Sequence, residues 1–359
     1  DARLVINLAR TAEAQGAVLV NYMPVIRLIK QSEMISGVVA LDRETEKEYE
    51  LTAKVVVNAT GPFADGVRFL DDQTEQPMIQ PSQGVHLVLD REFLPGETAI
   101  MVPHTADGRV MFAIPWHNKV IIGTTDTAIE TIEDEPIPMP EEIDFLLGHA
   151  AQYMTKDPDF LDIKSVFAGI RPLVLNPDTK NTAALSRDHV LTISNTGLVT
   201  IAGGKWTTYR KMAQDTLEKA ALVGNLPSKS CTTENLLIHG YHQHSEIFNE
   251  LRNYGSDAVE IRNLLREKKS YTKKLHKKFD ITVGEVVWAV RKEMARTVSD
   301  FLARRTRVLF LDARAAAEMA GNVADIMRKE LGKSKQWETN QIRSFGELVE
   351  LYLPHRNNN

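Results

Sequence analysis

Three cationic side chains stand where predicted strands begin or end, at Arg171, Arg187 and Lys205. A guanidinium group binds a phosphate or a carboxylate through two parallel hydrogen bonds, and a lysine adds a mobile positive charge. If the three side chains converge over one edge of a sheet, they form a binding site for a dianionic substrate. Considered one at a time, each is explained more simply by a structural ion pair, and Asp188 is an obvious partner for Arg187.

The pair Gly203-Gly204 lies between an apolar, β-branched run at 198–201 and an Ala-, Leu-, Lys- and Glu-rich helical run at 207–221. Two glycines at such a junction let the backbone come close to another group, and the first N–H groups of the helix have no intrahelical partner. These N–H groups and the helix dipole favour an anion or an electron-rich carbonyl oxygen. A tight turn with a surface lysine explains the same residues equally well, since a lone glycine loop is a weak signal.

Ala59, Thr60 and Gly61 follow another apolar run, which predicts a buried strand over 53–58. Small residues after a strand are typical of a doubly wound α/β sheet where its carboxyl edge meets a nucleotide. A strand that ends in an ordinary turn is the equal alternative.

His86 lies within a predicted strand, on the face opposite its apolar neighbours. Its ordinary pKa of about 6.5 would allow it to act as a general base near neutral pH. A structural histidine is the more common role for such a residue. The run Thr124-Thr125-Asp126 offers further hydrogen-bonding groups, but a turn closed by a local aspartate bond is the favoured interpretation.

The composition excludes several classes of protein. The chain of 359 residues carries a net charge of −5, which gives no general argument for binding nucleic acid. Its single cysteine, Cys231, excludes an internal disulfide framework and a cysteine-based metal cluster. No apolar run approaches the roughly 18 residues of a membrane-spanning helix. Because the sequence opens at Asp1 directly within an amphipathic helical run, we expect it to be a piece of a longer protein.

Hydrophobic periodicity predicts the elements that position these residues. In the first part of the chain we expect helices at 1–15 and 141–154, strands at 17–21, 25–30, 35–42, 48–51, 53–58, 163–168 and 190–194, and an antiparallel meander at 76–128. After about residue 228 helical runs dominate, at 245–254, 258–269, 283–293, 297–303, 311–330 and 335–352. Basic clusters at 266–278 and 304–305 are interpreted as solvated faces rather than as a binding site.

Several motifs occur in one order along the chain: Asp1-Ala2-Arg3-Leu4-Val5, Val57-Asn58-Ala59-Thr60-Gly61-Pro62, Gly84-Val85-His86, Ile114-Pro115-Trp116, Ile122-Gly123-Thr124-Thr125-Asp126, Gly169-Ile170-Arg171-Pro172-Leu173, Ser186-Arg187-Asp188 and Gly203-Gly204-Lys205-Trp206-Thr207-Thr208-Tyr209-Arg210. This order resembles the FAD-dependent (aerobic) glycerol-3-phosphate dehydrogenase family, within the D-amino-acid-oxidase-like flavoproteins, and the resemblance covers essentially the whole chain. The glycerophosphate oxidases share most of these motifs. The family begins with a βαβ unit carrying Gly-x-Gly-x-x-Gly, which this sequence lacks, so we expect such a segment to precede Asp1.

The resemblance implies an α/β plus all-α fold. It consists of a partial doubly wound FAD-binding domain, an antiparallel β substrate domain and a C-terminal helical domain. The corresponding division assigns 1–75 and 181–228 to the FAD-binding domain, 76–180 to the substrate or cap domain and 229–359 to the helical domain.

The resemblance also implies roles for the residues singled out above. Residues expected to lie by the FAD are Ala59, Thr60, Gly61, Gly203, Gly204, Lys205, Trp206 and Thr207. Arg171, Arg187 and Lys205 are expected to bind the substrate over the flavin. His86, together with Arg171 and Lys205, is expected at the catalytic centre, where His86 is one candidate for the base.

The implied reaction is hydride transfer from C2 of sn-glycerol 3-phosphate to FAD, which gives dihydroxyacetone phosphate, with electrons passing to a quinone. The resemblance further implies a cytoplasmic enzyme, peripherally associated with the cytoplasmic membrane and forming a homodimer, with no role for nucleic acid or metal. Three alternatives remain: a non-catalytic fragment made of cap and helical interaction module, a glycerophosphate oxidase, and an amino-acid oxidase. The absent glycine motif favours the non-catalytic fragment for the chain as given. Two arginines and a lysine suit a phosphate better than a carboxylate.

Overall fold

The computed structural model describes residues 1–102, 105, 110–175 and 188–355. The fold is mixed α/β with a helical C-terminal region. Its strands are β1 (Val25–Gln31), β2 (Met34–Leu41), β3 (Glu48–Thr52), β4 (Val57–Asn58), β5 (Ile79–Asp90), β6 (Ile100–Val102), β7 (Met111–Trp116), β8 (Lys119–Gly123), β9 (Thr127–Ala128), β10 (Ser165–Val174), β11 (His189–Ile193), β12 (Val199–Gly203), β13 (Lys274–His276) and β14 (Phe279–Thr282). Its α-helices are α1 (Ala2–Ala14), α2 (Ala64–Asp71), α3 (Pro140–Ala150), α4 (Tyr209–Val223), α5 (Asp257–Glu267), α6 (Val283–Lys292), α7 (Val308–Leu311), α8 (Ala313–Leu331) and α9 (Lys335–Tyr352).

The first strands form a small antiparallel sheet in the order β1-β2-β3, as the alternation of their sequences predicted. The strand predicted at 17–21 is wrong, because this segment forms no strand. Its apolar side chains are largely exposed, with Val18 at 89% and Val20 at 65% of full exposure. Short apolar runs fix neither strand pairing nor burial, which depend on the neighbours that the fold supplies.

The strand predicted over 53–58 is shortened to β4, and most of it is not buried. This strand pairs in parallel with β12 at the edge of the sheet β11-β12-β4, so one side lacks a neighbour among the described residues. Val57 is therefore 37% exposed, whereas Asn58 is 1% exposed. The Asn58 amide donates a hydrogen bond of 2.9 Å to the carbonyl oxygen of Ala64, which fixes the start of α2.

The predicted antiparallel meander is confirmed by the second sheet, ordered β10-β5-β8-β7-β6 with β9 paired to β5. One face of this sheet packs against α3, because alternate residues of β5 and β8 are apolar. The core contains Val85, Leu87, Ile122 and Leu146, each completely buried.

Helices dominate the region after residue 228, as predicted, although several elements differ from the prediction. The segment predicted as a helix at 245–254 is a 3-10 helix interrupted at Asn249, and the helix predicted at 297–303 is a π-helix over Asp300–Arg305. The short hairpin β13–β14 was missed because its strands are only three and four residues long.

The helix predicted at 311–330 begins at Ala313, because the carboxylate of Asp312 accepts a hydrogen bond of 2.9 Å from the N–H of Ala315 and so starts α8. This use of aspartate at a helix N-terminus is energetically favourable. Within the described residues, no helix combines the length and the apolar character needed to cross a bilayer.

Candidate active site

Arg171 lies on β10 against the central strand β5, opposite Ser82 in the antiparallel register. Its guanidinium group lies directly over Gly84, where a Cβ atom would come within 2.5 Å of Nη2 and 2.7 Å of Nη1. Glycine at this position therefore provides the space that the arginine occupies. The Arg171 side chain keeps 27% of its exposure, so it is only partly buried.

The run Thr124-Thr125-Asp126 holds this arginine in place. Nη2 of Arg171 donates to the carbonyl oxygen of Thr125 at 2.9 Å and to Oγ1 of Thr124 at 3.2 Å. Nη1 forms an ion pair with Oδ1 of Asp126 at 3.2 Å, and the same oxygen accepts from the Ser82 hydroxyl. The favoured interpretation of this run as an ordinary turn missed its role, since its contacts come from residues far apart in sequence.

A buried carboxylate, Glu142 on α3, anchors the same run from behind. Its Oε1 accepts from the hydroxyl groups of Thr125 and Thr127, each at 2.7 Å, and its Oε2 accepts from Nε2 of Gln83 at 2.8 Å and from the N–H of Met139 at 3.0 Å. Sequence reasoning did not identify Glu142. Glu142 is the third residue of a helix that begins at Pro140, and a glutamate there commonly accepts a hydrogen bond from the backbone at the helix start. That position was the one sequence signal for its role.

His86 lies on β5, and its ring covers Gly123 on the neighbouring strand. The ring also stacks on Phe167, with 5.4 Å between ring centroids and 14° between planes. Burial lowers the pKa of His86 to about 4, with a further contribution from the positive charge of Arg171. The imidazole is therefore neutral near pH 7 and able to accept a proton. The structure thus brings His86 and Arg171 into one electrostatic environment.

The glycine turn after β12 has the conformation expected of a close approach. Gly203 and Gly204 have φ angles of +72° and +78°, a region that side chains disfavour. A Cβ on Gly203 would lie 2.8 Å from the carbonyl oxygen of Asp188, and one on Gly204 would lie 2.6 Å from Sδ of Met212. Lys205 follows this turn and is exposed.

Trp206 and Thr207, the next two residues, are exposed and form the first turn of a 3-10 helix that leads into α4. The opening N–H groups of a helical segment have no intrahelical partner. Within the described residues, the Lys205 ammonium has no ion-pair partner. The turn therefore presents backbone donors and a positive charge to the surface.

Ala59, Thr60 and Gly61 lie at the same edge of the sheet as this turn, because β4 and β12 run in parallel. The Thr60 hydroxyl donates a hydrogen bond of 2.7 Å to Oδ1 of Asn58. Gly61 has a φ angle of +59°, and a Cβ there would meet no atom within 4 Å. The space beside Gly61 is thus open in the structure.

Strand β10 links the two groups of candidate residues. Val174, three residues after Arg171, lies against the glycine turn, since a Cβ on Gly203 would come within 2.9 Å of its Cγ2. At the usual strand rise of ~3.3 Å per residue, Arg171 and Val174 are about 10 Å apart. Arg187, the third predicted cation, lies outside the described residues.

Comparison with known proteins assigns a family to this arrangement. Residues 1–210, more than half of the chain, match the family described as "FAD dependent oxidoreductase". The chain belongs to the FAD-dependent oxidoreductase family. Residues 194–338 match a second family, described as the C-terminal domain of alpha-glycerophosphate oxidase.

Named relatives confirm the resemblance to the FAD-dependent glycerol-3-phosphate dehydrogenases. The chain is 37% identical to the mitochondrial glycerol-3-phosphate dehydrogenase of Mus musculus, over 93% of this chain and 50% of that protein. It is also 37% identical to the mitochondrial enzyme of Schizosaccharomyces pombe, over 92% of this chain and 60% of that protein. The chain thus spans about half the length of the first curated relatives that it matches.

A solved structure confirms the fold class. The glycerol-3-phosphate dehydrogenase of Bacillus halodurans, determined in complex with FAD, matches 98% of this chain and 73% of its own chain, with a TM-score of 0.86 and 30% sequence identity. The mixed α/β fold with a helical C-terminal region is therefore that of this group of FAD-dependent oxidoreductases. The residue roles and domain boundaries predicted from the sequence stay predictions.

Proposed function

We propose that this chain is part of a flavoenzyme that oxidises sn-glycerol 3-phosphate to dihydroxyacetone phosphate and passes the electrons to a quinone. Relatives named glycerol-3-phosphate dehydrogenase support the substrate. The single observation that carries the proposal is the half-buried Arg171, fixed over Gly84 in the same electrostatic environment as neutral His86. A fixed cation next to a proton acceptor suits a phosphorylated alcohol that must lose its hydroxyl proton.

The residues of the glycine turn fit FAD. Gly203 and Gly204 leave no room for side chains of their own, and Gly61 borders open space at the same sheet edge. Ala59, Thr60, Gly61, Gly203, Gly204, Lys205, Trp206 and Thr207 would hold the cofactor. When bound, FAD supplies a two-electron acceptor for the oxidation of the alcohol. The unpaired N–H groups at the start of the 3-10 helix would stabilise negative charge beside them.

Arg171, Arg187 and Lys205 would bind the phosphate and hydroxyl groups of the substrate. The Arg171 guanidinium already donates to Thr124 and Thr125, so its direction is fixed before the substrate arrives. A fixed guanidinium loses little side-chain entropy on binding. This arrangement orients the substrate rather than merely attracting it.

His86 would accept the proton of the C2 hydroxyl. A base whose pKa is about 4 is neutral at pH 7 but weak. A bound phosphate dianion would offset the charge of Arg171, and the pKa of His86 would rise towards the working pH. Substrate binding would in this way strengthen the base that acts on the substrate.

The domain division remains part of the proposal. The pairing of β4 with β12 supports assigning 1–75 and 181–228 to one FAD-binding domain, since each range supplies one of the two strands. The antiparallel sheet lies within 76–180 and the helical region within 229–359. We also propose a homodimer on the cytoplasmic face of a membrane, held there peripherally.

The test is an anaerobic titration of the chain, supplemented with FAD, with sn-glycerol 3-phosphate while the visible flavin absorbance is recorded. Bleaching by this substrate, but not by amino acids, is expected, and reduction by an amino acid alone would contradict the proposal. Reoxidation by a soluble quinone rather than by oxygen separates the dehydrogenase from the glycerophosphate oxidase. If the chain takes up no flavin, the alternative of a non-catalytic fragment is favoured for it.

A further inference from the structure

A cleft of about 760 Å³ opens where the turn between β7 and β8 meets the helical region. The turn contributes His117, whereas the helical side contributes Arg252, Tyr254, Glu285 and Arg307. Segments far apart in sequence therefore enclose one space, which none of the roles proposed above uses.

Arg307 has an unusual backbone conformation and, like Arg3 in the same cleft, a buried Nε atom without a hydrogen-bond partner among the described residues. Its φ angle is +63°, directly before α7. Burial and the positive charge of Arg3 both lower the pKa of Arg307. Leaving a buried donor unpaired is unfavourable, so such a group is usually explained by a ligand or a water molecule.

The other basic residues of the cleft already have carboxylate partners outside it. Lys119 pairs with Asp90 at 2.6 Å and Lys278 pairs with Asp312 at 2.8 Å. Arg3 is bound by Glu293, with 3.1 Å between Nη2 and Oε2. Among the described residues, no such ion pair is found for Arg252 or Arg307.

Most acidic residues of the cleft are engaged as well. Glu285 accepts from Tyr254 and from Thr282, and Asp280 pairs with Lys274. Glu246 pairs with His244, and Glu250 is exposed at the rim.

The corner formed by His117, Arg252 and Arg307 is therefore positive. Limited solvation, together with the charges of Arg307 and Arg252, lowers the pKa of His117 to about 4. No carboxylate of the described residues is among the causes of this shift. A group with negative charge would relieve the repulsion between the two guanidinium groups and would raise the pKa of His117.

This corner is separate from the proposed substrate site. His86 lies opposite Gly123 at one end of β8, whereas His117 lies beyond Lys119 at its other end. Four strand residues correspond to about 13 Å at the usual rise. A ligand held at His117 would not contact the groups that surround His86.

We propose that this corner is a second anion site, in which Arg252 and Arg307 bind a phosphoryl dianion with His117 at its edge. The oxygen atoms of one phosphoryl group can accept from two guanidinium groups at once, which suits two arginines on different elements. The phosphoryl group belongs either to a free phosphate or phosphate monoester or to the headgroup of an anionic lipid.

Isothermal titration with inorganic phosphate tests the site in a chain carrying Arg171→Gln, Arg187→Gln and Lys205→Gln, which removes all three cations of the proposed substrate site. Binding is expected, with the affinity reduced about tenfold or more by Arg307→Gln and by Arg252→Gln, since each removes a charged hydrogen-bond donor. Arg266→Gln, an exposed arginine of α5 outside the cleft, is the matched control and should leave the affinity unchanged.

Sedimentation with phosphatidylcholine vesicles, with and without phosphatidylglycerol, distinguishes the two sources. If the chain binds phosphatidylglycerol vesicles and loses this binding in both Arg252→Gln and Arg307→Gln, the ligand is a lipid headgroup. If it binds phosphate but no vesicles, the ligand is a free phosphate or phosphate monoester. If neither phosphate nor vesicle binding responds to Arg252→Gln or Arg307→Gln, the proposal is wrong. Because Arg252 is exposed, its variant keeps the test valid if Arg307→Gln fails to fold.

Discussion

Replacing Arg171 with glutamine should raise the pKa of His86 while leaving it below the ordinary value. The pKa of His86 is lowered from 6.5 to about 4, first by burial and then by the charge of Arg171. Such a drop corresponds to about 3 kcal/mol against protonation, at about 1.4 kcal/mol per pKa unit. Because burial is the larger cause and remains in the variant, the rise should be about one unit or less.

Nuclear magnetic resonance of the imidazole nitrogens, followed through a pH titration, measures this pKa directly. The resonances of His86 are assigned by their loss in His86→Gln. Arg171→Lys is the matched control, because it keeps the positive charge and should hold the pKa low. Adding sn-glycerol 3-phosphate to the unmodified chain should raise the pKa in the same direction as Arg171→Gln, since the dianion offsets the guanidinium charge.

Two results would refute this reasoning. An unchanged pKa in Arg171→Gln would mean that the arginine charge does not reach the imidazole, so that substrate bound at Arg171 could not strengthen the base. A pKa that also rises in Arg171→Lys would attribute the effect to altered packing rather than to charge. In kinetic terms, the acidic limb of kcat/KM should move to higher pH in Arg171→Gln and stay in place in Arg171→Lys.

Three further perturbations address the support of the site. Glu142→Gln should lower kcat/KM for the proposed substrate and destabilise the fold by about 2 kcal/mol in urea unfolding, because one buried amide cannot accept from all the donors that converge on the carboxylate. Rescue of KM by Glu142→Asp would show that Glu142 positions the substrate-binding residues. Unchanged kinetics in Glu142→Gln would exclude that positioning role. Gly204→Ala should lower the free energy of unfolding by about 1–3 kcal/mol, because the φ angle of Gly204 is +78°. The control Gly66→Ala in α2, which has open space around it, should leave that free energy unchanged or raise it. Equal effects of the two substitutions would contradict the strain argument. Because the pKa of His86 is depressed in the folded chain, the unfolded chain binds more protons between pH 6.5 and 4. The free energy of unfolding should therefore fall as the pH decreases through that window, by up to about 3 kcal/mol more than in His86→Gln. Identical pH profiles of the two proteins would exclude the depressed pKa.

The elements that sequence reasoning predicted well are those with their own periodic signal. The long helix α9 was placed correctly, and the strands β5 to β9 fall within the meander predicted at 76–128, because each carries its apolar face in its own sequence. The strand at 17–21 was wrong, since a short apolar run forms a strand only when a partner is available. For the same reason β4 is shorter and more exposed than predicted.

The candidate site shows a similar limit. Arg171 and His86 were each noticed because their residue types can do chemistry, yet their common environment depends on the register between β5 and β10. That register pairs Ser82 with Arg171, a relation with no local signature. Glu142 escaped notice because its contacts reach Gln83 across a long sequence separation, and only its position in the first turn of α3 was visible.

Strand β10 contacts three separate parts of the fold. Its Val174 packs against the glycine turn, and its Arg171 lies over β5. Its Phe167 stacks on His86 and also contacts Phe310 of the helical region edge-on, with 4.9 Å between ring centroids. The helical region therefore supports the ring that orients His86, so a cavity made by Phe310→Ala should loosen the imidazole without touching any group proposed to bind substrate. Lower kcat with unchanged KM is the expected result in that variant, and an unchanged kcat would separate the helical region from the proposed chemistry.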